Sequence, residues 1–289
     1  MVATRGPDEG AVFTGTEDGS IFRISHDGRK IDRVAHTGGR PLGVEVDADG
    51  RLVVCDSVRG LLAVDPRTGR VEVLVDRVDG RPVLVCNNAA LADDGTIWFS
   101  DSSTVFPLER WREDLLARTR TGRLLRRTPV GDVEVVLDGL GFANGVALLP
   151  GDREVVVAES TERTLVRHRV DRPGSRELLE PDLGAHPDNI ARGSDGLVWV
   201  TMTSPVRALV RGLMRTPRAV QRLAVRVPER LQPMPPPGVH VRAYDRDGRV
   251  VHDVVAASDG MSMVTGVREH EGRVWLGSLR ERAIAYLDL

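Results

Sequence analysis

Residues 142–157, FANGVALLPGDREVVV, read as two strands around a tight turn: a polar amide at Asn144, an apolar run, Gly and Asp at the reversal, then Val155, Val156 and Val157. Residues 185–200, AHPDNIARGSDGLVWV, repeat the arrangement, and residues 86–100, CNNAALADDGTIWFS, repeat it again. One strand pair is written several times. In each copy Asn or Asp, both poor strand formers, stands directly before the first apolar run, where local propensity alone would leave a loop.

Aligned on the turn glycine, the copies fall at Gly10, Gly50, Gly95, Gly151, Gly196 and Gly272. Each is followed by a strand-like run such as RLVVCDS, TIWFSDS or LVWVTM. Self-similarity at about 40 to 50 residues is the mark of a propeller with one four-stranded sheet per repeat. Six anchors predict an all-β, six-bladed β-propeller with short helical inserts, a single domain over residues 1–289. A β-sandwich would leave the repeat unexplained.

Composition narrows the function classes. The chain is 41% hydrophobic and 28% charged, the balance of a soluble globular protein. A formal net charge of −2 and 4% aromatic residues argue against a nucleic-acid partner. No apolar run is long enough to span a bilayer, and the opening MVATRGPDEG does not resemble a signal peptide, so the expected location is cytoplasmic. Cys55 and Cys86 are too few for a disulfide framework or a thiolate zinc site.

Two intervals break the repeat, residues 105–120 and 204–238. In the first, Trp111, Leu115 and Leu116 have helical spacing. In the second, Arg207, Arg211, Arg215, Arg218, Arg222 and Arg226 recur at three- and four-residue steps with Leu209, Leu213, Val220, Leu223 and Val227 between them. Two short amphipathic helices broken at Pro217 fit that pattern, and PMPPPG supplies a stiff return. The insert reads as a lid with a solvated basic face, or as a peripheral contact with an anionic membrane surface or an acidic partner.

In a propeller the innermost strands surround one channel, so residues just before those strands converge although they are far apart in sequence. Asn87 or Asn88, Asn144 and Asp188 all hold that place. Amide oxygens and one carboxylate suit a hard cation such as calcium, and no His or Cys cluster favours zinc. Turn formation is the competing explanation for the same residues.

The motifs GRPLGVEV, SVRGLLAVD, IWFSDSSTVF, TGRLLRR, GFANGVALLPGDREVVVAEST, HPDNI and VTGVREHEGRVWLGSL carry a family resemblance. From Gly39 to the C-terminus the chain resembles the strictosidine synthase-like and gluconolactonase (senescence marker protein-like) superfamily of six-bladed propellers. Its nearest subgroup is that of the adipocyte plasma membrane-associated protein and its bacterial relatives, similar to calcium-dependent lactonases and arylesterases. The resemblance implies one divalent cation, most simply calcium, held by Asn144 and Asp188. Asn87 lies beside it as a ligand through water or, with Asn88, as a substrate contact. One departure stands out: the family's other ligand is a Glu before the first inner strand, and MVA at the start of this chain aligns with Val44, Glu45 and Val46. The sixth repeat also reads as only three strands. The propeller is therefore expected to be incomplete at the N-terminus, with an exposed sheet edge.

The resemblance implies a calcium-dependent hydrolase of a small-molecule lactone or ester, with activated water attacking the carbonyl. Asp188 would serve as ligand and general base together; His186, two residues earlier, is the other candidate base. Ser102 and Ser103 beside Asp101 lack the G-x-S-x-G surroundings of a serine nucleophile. The rival enzyme reading is a metal-free, strictosidine synthase-like condensation of an amine with an aldehyde. That chemistry needs a buried acid, and Glu269 and Glu271 read as solvated turn residues. A non-catalytic binding propeller is the third reading.

Overall fold

Six antiparallel blade sheets, and a small two-stranded sheet of Arg77–Val78 and Arg81–Pro82 between the second and third, succeed one another along the chain in a computed structural model that describes residues 10–205, 212–225, 227, 237–258 and 260–289. The first blade holds Val12–Gly15, Ser20–Ile24 and Ile31–His36. The second holds Pro41–Val46, Leu52–Asp56, Gly60–Val64 and Val71–Val75, and the third Cys86–Leu91, Ile97–Asp101, Gly122–Arg127 and Val133–Leu140. The fourth is built from Ala143–Leu148, Glu154–Glu159, Thr164–Arg169 and Glu177–Glu180, and the fifth from Ala185–Arg192, Val198–Pro205, Val239–Tyr244 and Val250–Ala256. Val264–His270, Arg273–Ser278 and Ala285–Asp288 make the sixth. Neighbouring strands pair in sequence order within every blade, so the protein is a six-bladed propeller, with three strands in its first and sixth blades among the described residues.

Burial follows strand position. Leu52–Asp56 and Ile97–Asp101 are buried at every residue because both faces pack against a neighbouring blade, which is why they read as unbroken apolar runs. Outermost strands such as Val250–Ala256 have one side in water and are mostly exposed. The core is a ring of seams. Val156 and Ala158 meet Ile190, Val198 and Val200 between the fourth and fifth blades. The seam from the sixth blade back to the first is thinner, with Val12, Ile24 and Trp275 buried together and His26 edge-on to Trp275 at 6.2 Å. At the turn of the opening motif, Gly151 and Asp152 both take positive φ, 89° and 55°, a pair of left-handed residues that Gly and Asp tolerate.

Both inserts leave the ends of second strands, on the side where the inner strands begin. A 3₁₀ turn at Leu108–Arg110 runs into a helix at Trp111–Ala117, closed by Arg118 in the left-handed region with φ 48°. The strand Val198–Pro205 runs two residues into the interval expected as the larger insert, residues 204–238. Within it a helix, Arg218–Val225, begins directly after Pro217, the residue read as the helix break, and packs against Trp111–Ala117. Arg207 and Arg211, the side chains of Arg218, Arg222 and Arg226, and residues 1–9 lie outside the described part. No helix among the described residues is long and apolar enough to cross a membrane.

Candidate functional site

The Asn and Asp residues stand where the inner strands break register. The ladder to the second strand shifts between Pro41 and Val44, Cys86 and Ala89, Ala143 and Val146, Pro187 and Ile190, and Val264 and Gly266. Asn87, Asn88, Asn144, Asp188 and Asn189 all fall inside those irregularities, which free side chains from the strand alternation. Bulges, not strand propensity, explain their place in the sequence.

Bulged backbone leaves carbonyls without ladder partners, and second-strand hydroxyls take them up across the blade seams. Ser100 Oγ donates to the Asn144 carbonyl at 2.5 Å and Ser102 Oγ to the Ala143 carbonyl at 2.6 Å. Ser160 Oγ donates to the Pro187 carbonyl at 2.6 Å across the next seam, while Thr201 Oγ1 donates within the fifth blade to the Asn189 carbonyl at 3.1 Å. Acids closing the second strands hold the approach: Asp101 Oδ1 accepts the Val85 N–H at 2.8 Å, and Glu159 Oε1 accepts that of Gly141 at 2.7 Å. Close approach then becomes compulsory at Gly145, where a Cβ would stand 2.2 Å from the Ile190 nitrogen and 2.8 Å from the Asp188 carbonyl oxygen.

The inner-strand bulges open into a cavity of about 1130 Å³ whose wall includes Asn87, Asn88, Asn144, His186, Asp188 and Asn189. All six sequence-derived or neighbouring candidates therefore share one chamber, but their hydrogen bonds differ. Asn88 Oδ1 is committed to the Val146 N–H at 2.7 Å, a structural role. Asn87 Nδ2 donates to Ser102 Oγ at 2.9 Å and Asn144 Nδ2 to Ser160 Oγ at 3.1 Å. Asn144 Oδ1 and Asn189 Oδ1 are buried and have no hydrogen-bond partner. Buried amide oxygens are seldom left so, and these two belong to residues that line the cavity with the one carboxylate of the cluster. Asn189 escaped the sequence reading because nothing local distinguishes it from the turn residues of HPDN.

Burial pushes the Asp188 carboxyl up to about 7, against hydrogen bonds from the Asn144 amide and the Asn189 backbone that pull it down. Burial also lowers the pKa of His186, outweighing the hydrogen bond its ring makes with the Ser160 carbonyl at 2.8 Å. A carbonyl only accepts, so Nδ1 carries the proton and Nε2 is the accepting nitrogen of the neutral ring. Among the described residues no three His, Cys, Asp or Glu side chains form a metal-binding group. One carboxylate with amide oxygens is a donor set for a hard cation.

Other sequence candidates are accounted for elsewhere. Ser103 Oγ donates to Asp114 Oδ2 at 2.5 Å and Asp101 pairs with Arg123 at 2.6 Å, so neither belongs to a nucleophile triad. Glu269 is buried rather than solvated, because it accepts bonds from Ser194 and from the Asp195 and Gly272 N–H groups around a turn. His240 bonds Asp253 at 2.8 Å. Cys55 and Cys86 are free and buried in one apolar cluster.

Residues 7–224 match the SMP-30/gluconolactonase/LRE-like region. The chain belongs to that family. Among curated proteins it is similar to the protein strictosidine synthase-like 6 of Arabidopsis thaliana, 30% identical over 98% of this chain and 76% of the relative. It is 31% identical to the adipocyte plasma membrane-associated protein of Salmo salar, over 96% of this chain and 73% of that one. A gluconolactonase from Xanthomonas campestris superposes with a TM-score of 0.69 at 18% identity, covering 96% of this chain and 82% of its own. A calcium-binding protein, regucalcin, from Agrobacterium tumefaciens superposes with a TM-score of 0.64 at 14% identity, covering 97% and 82%. At those identities the superpositions establish the propeller alone.

Proposed function

We propose that this gluconolactonase-family propeller is a hydrolase of lactones or esters that works with a divalent cation, most simply calcium, at the inner-strand bulges. The observation that carries the reading is the pair of buried, unpartnered amide oxygens, Asn144 Oδ1 and Asn189 Oδ1, on residues that line one cavity with Asp188. Such oxygens match the ligands calcium takes, and they would otherwise be a standing cost to the fold. Relatives named as a gluconolactonase and as a calcium-binding protein support the same choice.

Asn144, Asp188 and Asn189 would hold the cation, with Asn87 beside them. Bound there, it supplies Lewis-acid polarisation of the substrate carbonyl. Asp188 would give up its proton to act as a ligand, and the Asn144 amide, which donates to Ser160 and hydrogen-bonds Asp188, would orient it. His186, kept neutral by burial, takes the proton of the attacking water on Nε2.

One observation favours a second reading. Asp188 is a half-buried carboxyl whose pKa is raised by desolvation, and in its protonated form it is the kind of acid an amine–aldehyde condensation uses. Elemental analysis, then hydrolysis of phenyl acetate and a γ-lactone with calcium, with chelator and in Asp188→Ala, separates the two. Stoichiometric calcium with turnover lost in both controls supports the hydrolase. Chelator-insensitive consumption of an amine and an aldehyde, without ester turnover, overturns it.

A further inference from the structure

The cavity is large and its chemistry is divided. At about 1130 Å³ it exceeds the roughly 300–1,000 Å³ typical of sites for drug-sized ligands, far more room than a single lactone ring requires. Its polar groups gather at the inner-strand bulges. The wall contributed by the inserts is largely apolar: Trp111, Leu115 and Leu116 from the first helix and Leu213, Ala224 and Val227 from the larger insert, with Glu109 and Arg112 as its charged members. We propose that the substrate is a lactone or ester bearing an extended apolar group, an acyl or alkyl chain, and that this group lies against the two insert helices.

A polyhydroxylated sugar ring would need a donor or acceptor for each buried hydroxyl. The charged side chains on the cavity wall are poorly placed for that. Arg40 pairs with Glu17 at 3.1 Å, Arg268 pairs with Glu45 at 2.6 Å and also donates to the Arg192 carbonyl, Arg112 lies over the Trp111 ring at 4.8 Å, and Glu109 and Arg280 are exposed. A flexible chain asks only for apolar surface, which the helices provide.

The apolar wall is also held in place. Asp114, on the Trp111–Ala117 helix, is fully buried and accepts from Ser103 at 2.5 Å and from Thr119 at 2.7 Å. That clamp fixes the helix on the third blade, and the helix in turn supports Arg218–Val225. A preformed wall binds a chain without the cost of ordering it first.

The inference rests on the lactone or ester reading for its chemistry, but recognition of the chain is measurable without turnover. Two measurements are made on the full chain with calcium: kcat/KM for 4-nitrophenyl esters from acetate to octanoate, and calorimetric binding of γ-butyrolactam and its 5-heptyl derivative, whose amide resists hydrolysis. Each buried methylene is worth roughly a threefold gain, so kcat/KM should rise about 100-fold or more from acetate to octanoate, mostly through KM. The heptyl lactam should bind at least about 100-fold more tightly than the parent. Leu115→Asn and Ala224→Phe, the second of which fills the subsite without removing a buried group, should each cut the octanoate-to-acetate ratio by at least about tenfold. A flat profile with measurable turnover, or lactams that bind equally, overturns the inference and leaves the hydrolase standing. No ester turnover together with tight binding of the heptyl lactam removes the hydrolase and leaves the subsite.

Discussion

Asn88 Oδ1 accepts the Val146 N–H at 2.7 Å, across the seam between the third and fourth blades and 58 residues along the chain. Its neighbour Asn87 bonds Ser102 within its own blade. Two adjacent asparagines at the same cavity thus divide the work: one staples blades, the other borders the candidate metal site. Asn88→Ala leaves a buried backbone donor unpaired and should cost about 1–3 kcal/mol in urea unfolding. The proposal for Asn87 requires a different result, loss of turnover with a small change in stability.

Gly145 faces the backbone of Asp188, Asn189 and Ile190 too closely for any side chain. Gly145→Ala pushes the fifth inner strand away from the fourth, separating Asn144 from Asp188. The expected outcome is a stability loss of about 1–3 kcal/mol with weaker calcium binding, read by thermal unfolding with and without the metal. Gly151→Ala, at an open turn, should lose stability through its positive φ while keeping calcium affinity.

The Asp188 carboxyl, at about 7 in the folded protein and about 3.9 in the unfolded chain, gives a signed pH dependence. Between those values the folded state binds the extra proton. This group's contribution is therefore fully present at low pH and is lost as pH rises through about 7. Metal-free protein should weaken by roughly 1–3 kcal/mol from pH 5 to pH 8 relative to Asp188→Asn, and calcium should stabilise it more at pH 8 than at pH 6. Parallel stability curves for the two metal-free proteins would contradict the assignment.

Asp101 and Arg123 form a buried ion pair at 2.6 Å, with side-chain exposures of 0% and 8%. Asp101→Ala strands the guanidinium and releases the Val85 N–H, so a loss of about 3–5 kcal/mol is expected in denaturant unfolding. Exchanging the pair for apolar residues of similar volume should recover much of it.

The repeat of Gly-centred turns and apolar runs was legible because hairpin geometry is local: a strand pair needs only its own alternation and its own turn. Asn144 and Asp188 stood out for the same reason, as polar residues in a place where a strand should begin. The Trp111–Ala117 helix was legible too, through Trp111, Leu115 and Leu116, and the Arg218–Val225 helix through the break at Pro217, while the stretch expected to form the other helix of that insert lies largely outside the described residues. Glu269 was misread because its partner Ser194 lies 75 residues away. Asn189 could not be separated from an ordinary turn residue.

Local pattern alone therefore determined the strands, their number, the helical inserts and the kinds of side chain delivered to the channel. Only the tertiary structure decided which of those side chains retain unused capacity. Asn88 is consumed by Val146, Ser102 by Ala143 and Ser103 by Asp114, while Asn144 Oδ1 and Asn189 Oδ1 are left without partners. The reason is physical: a bulge frees a side chain from its own strand, and the neighbouring blade determines whether a donor is there to meet it.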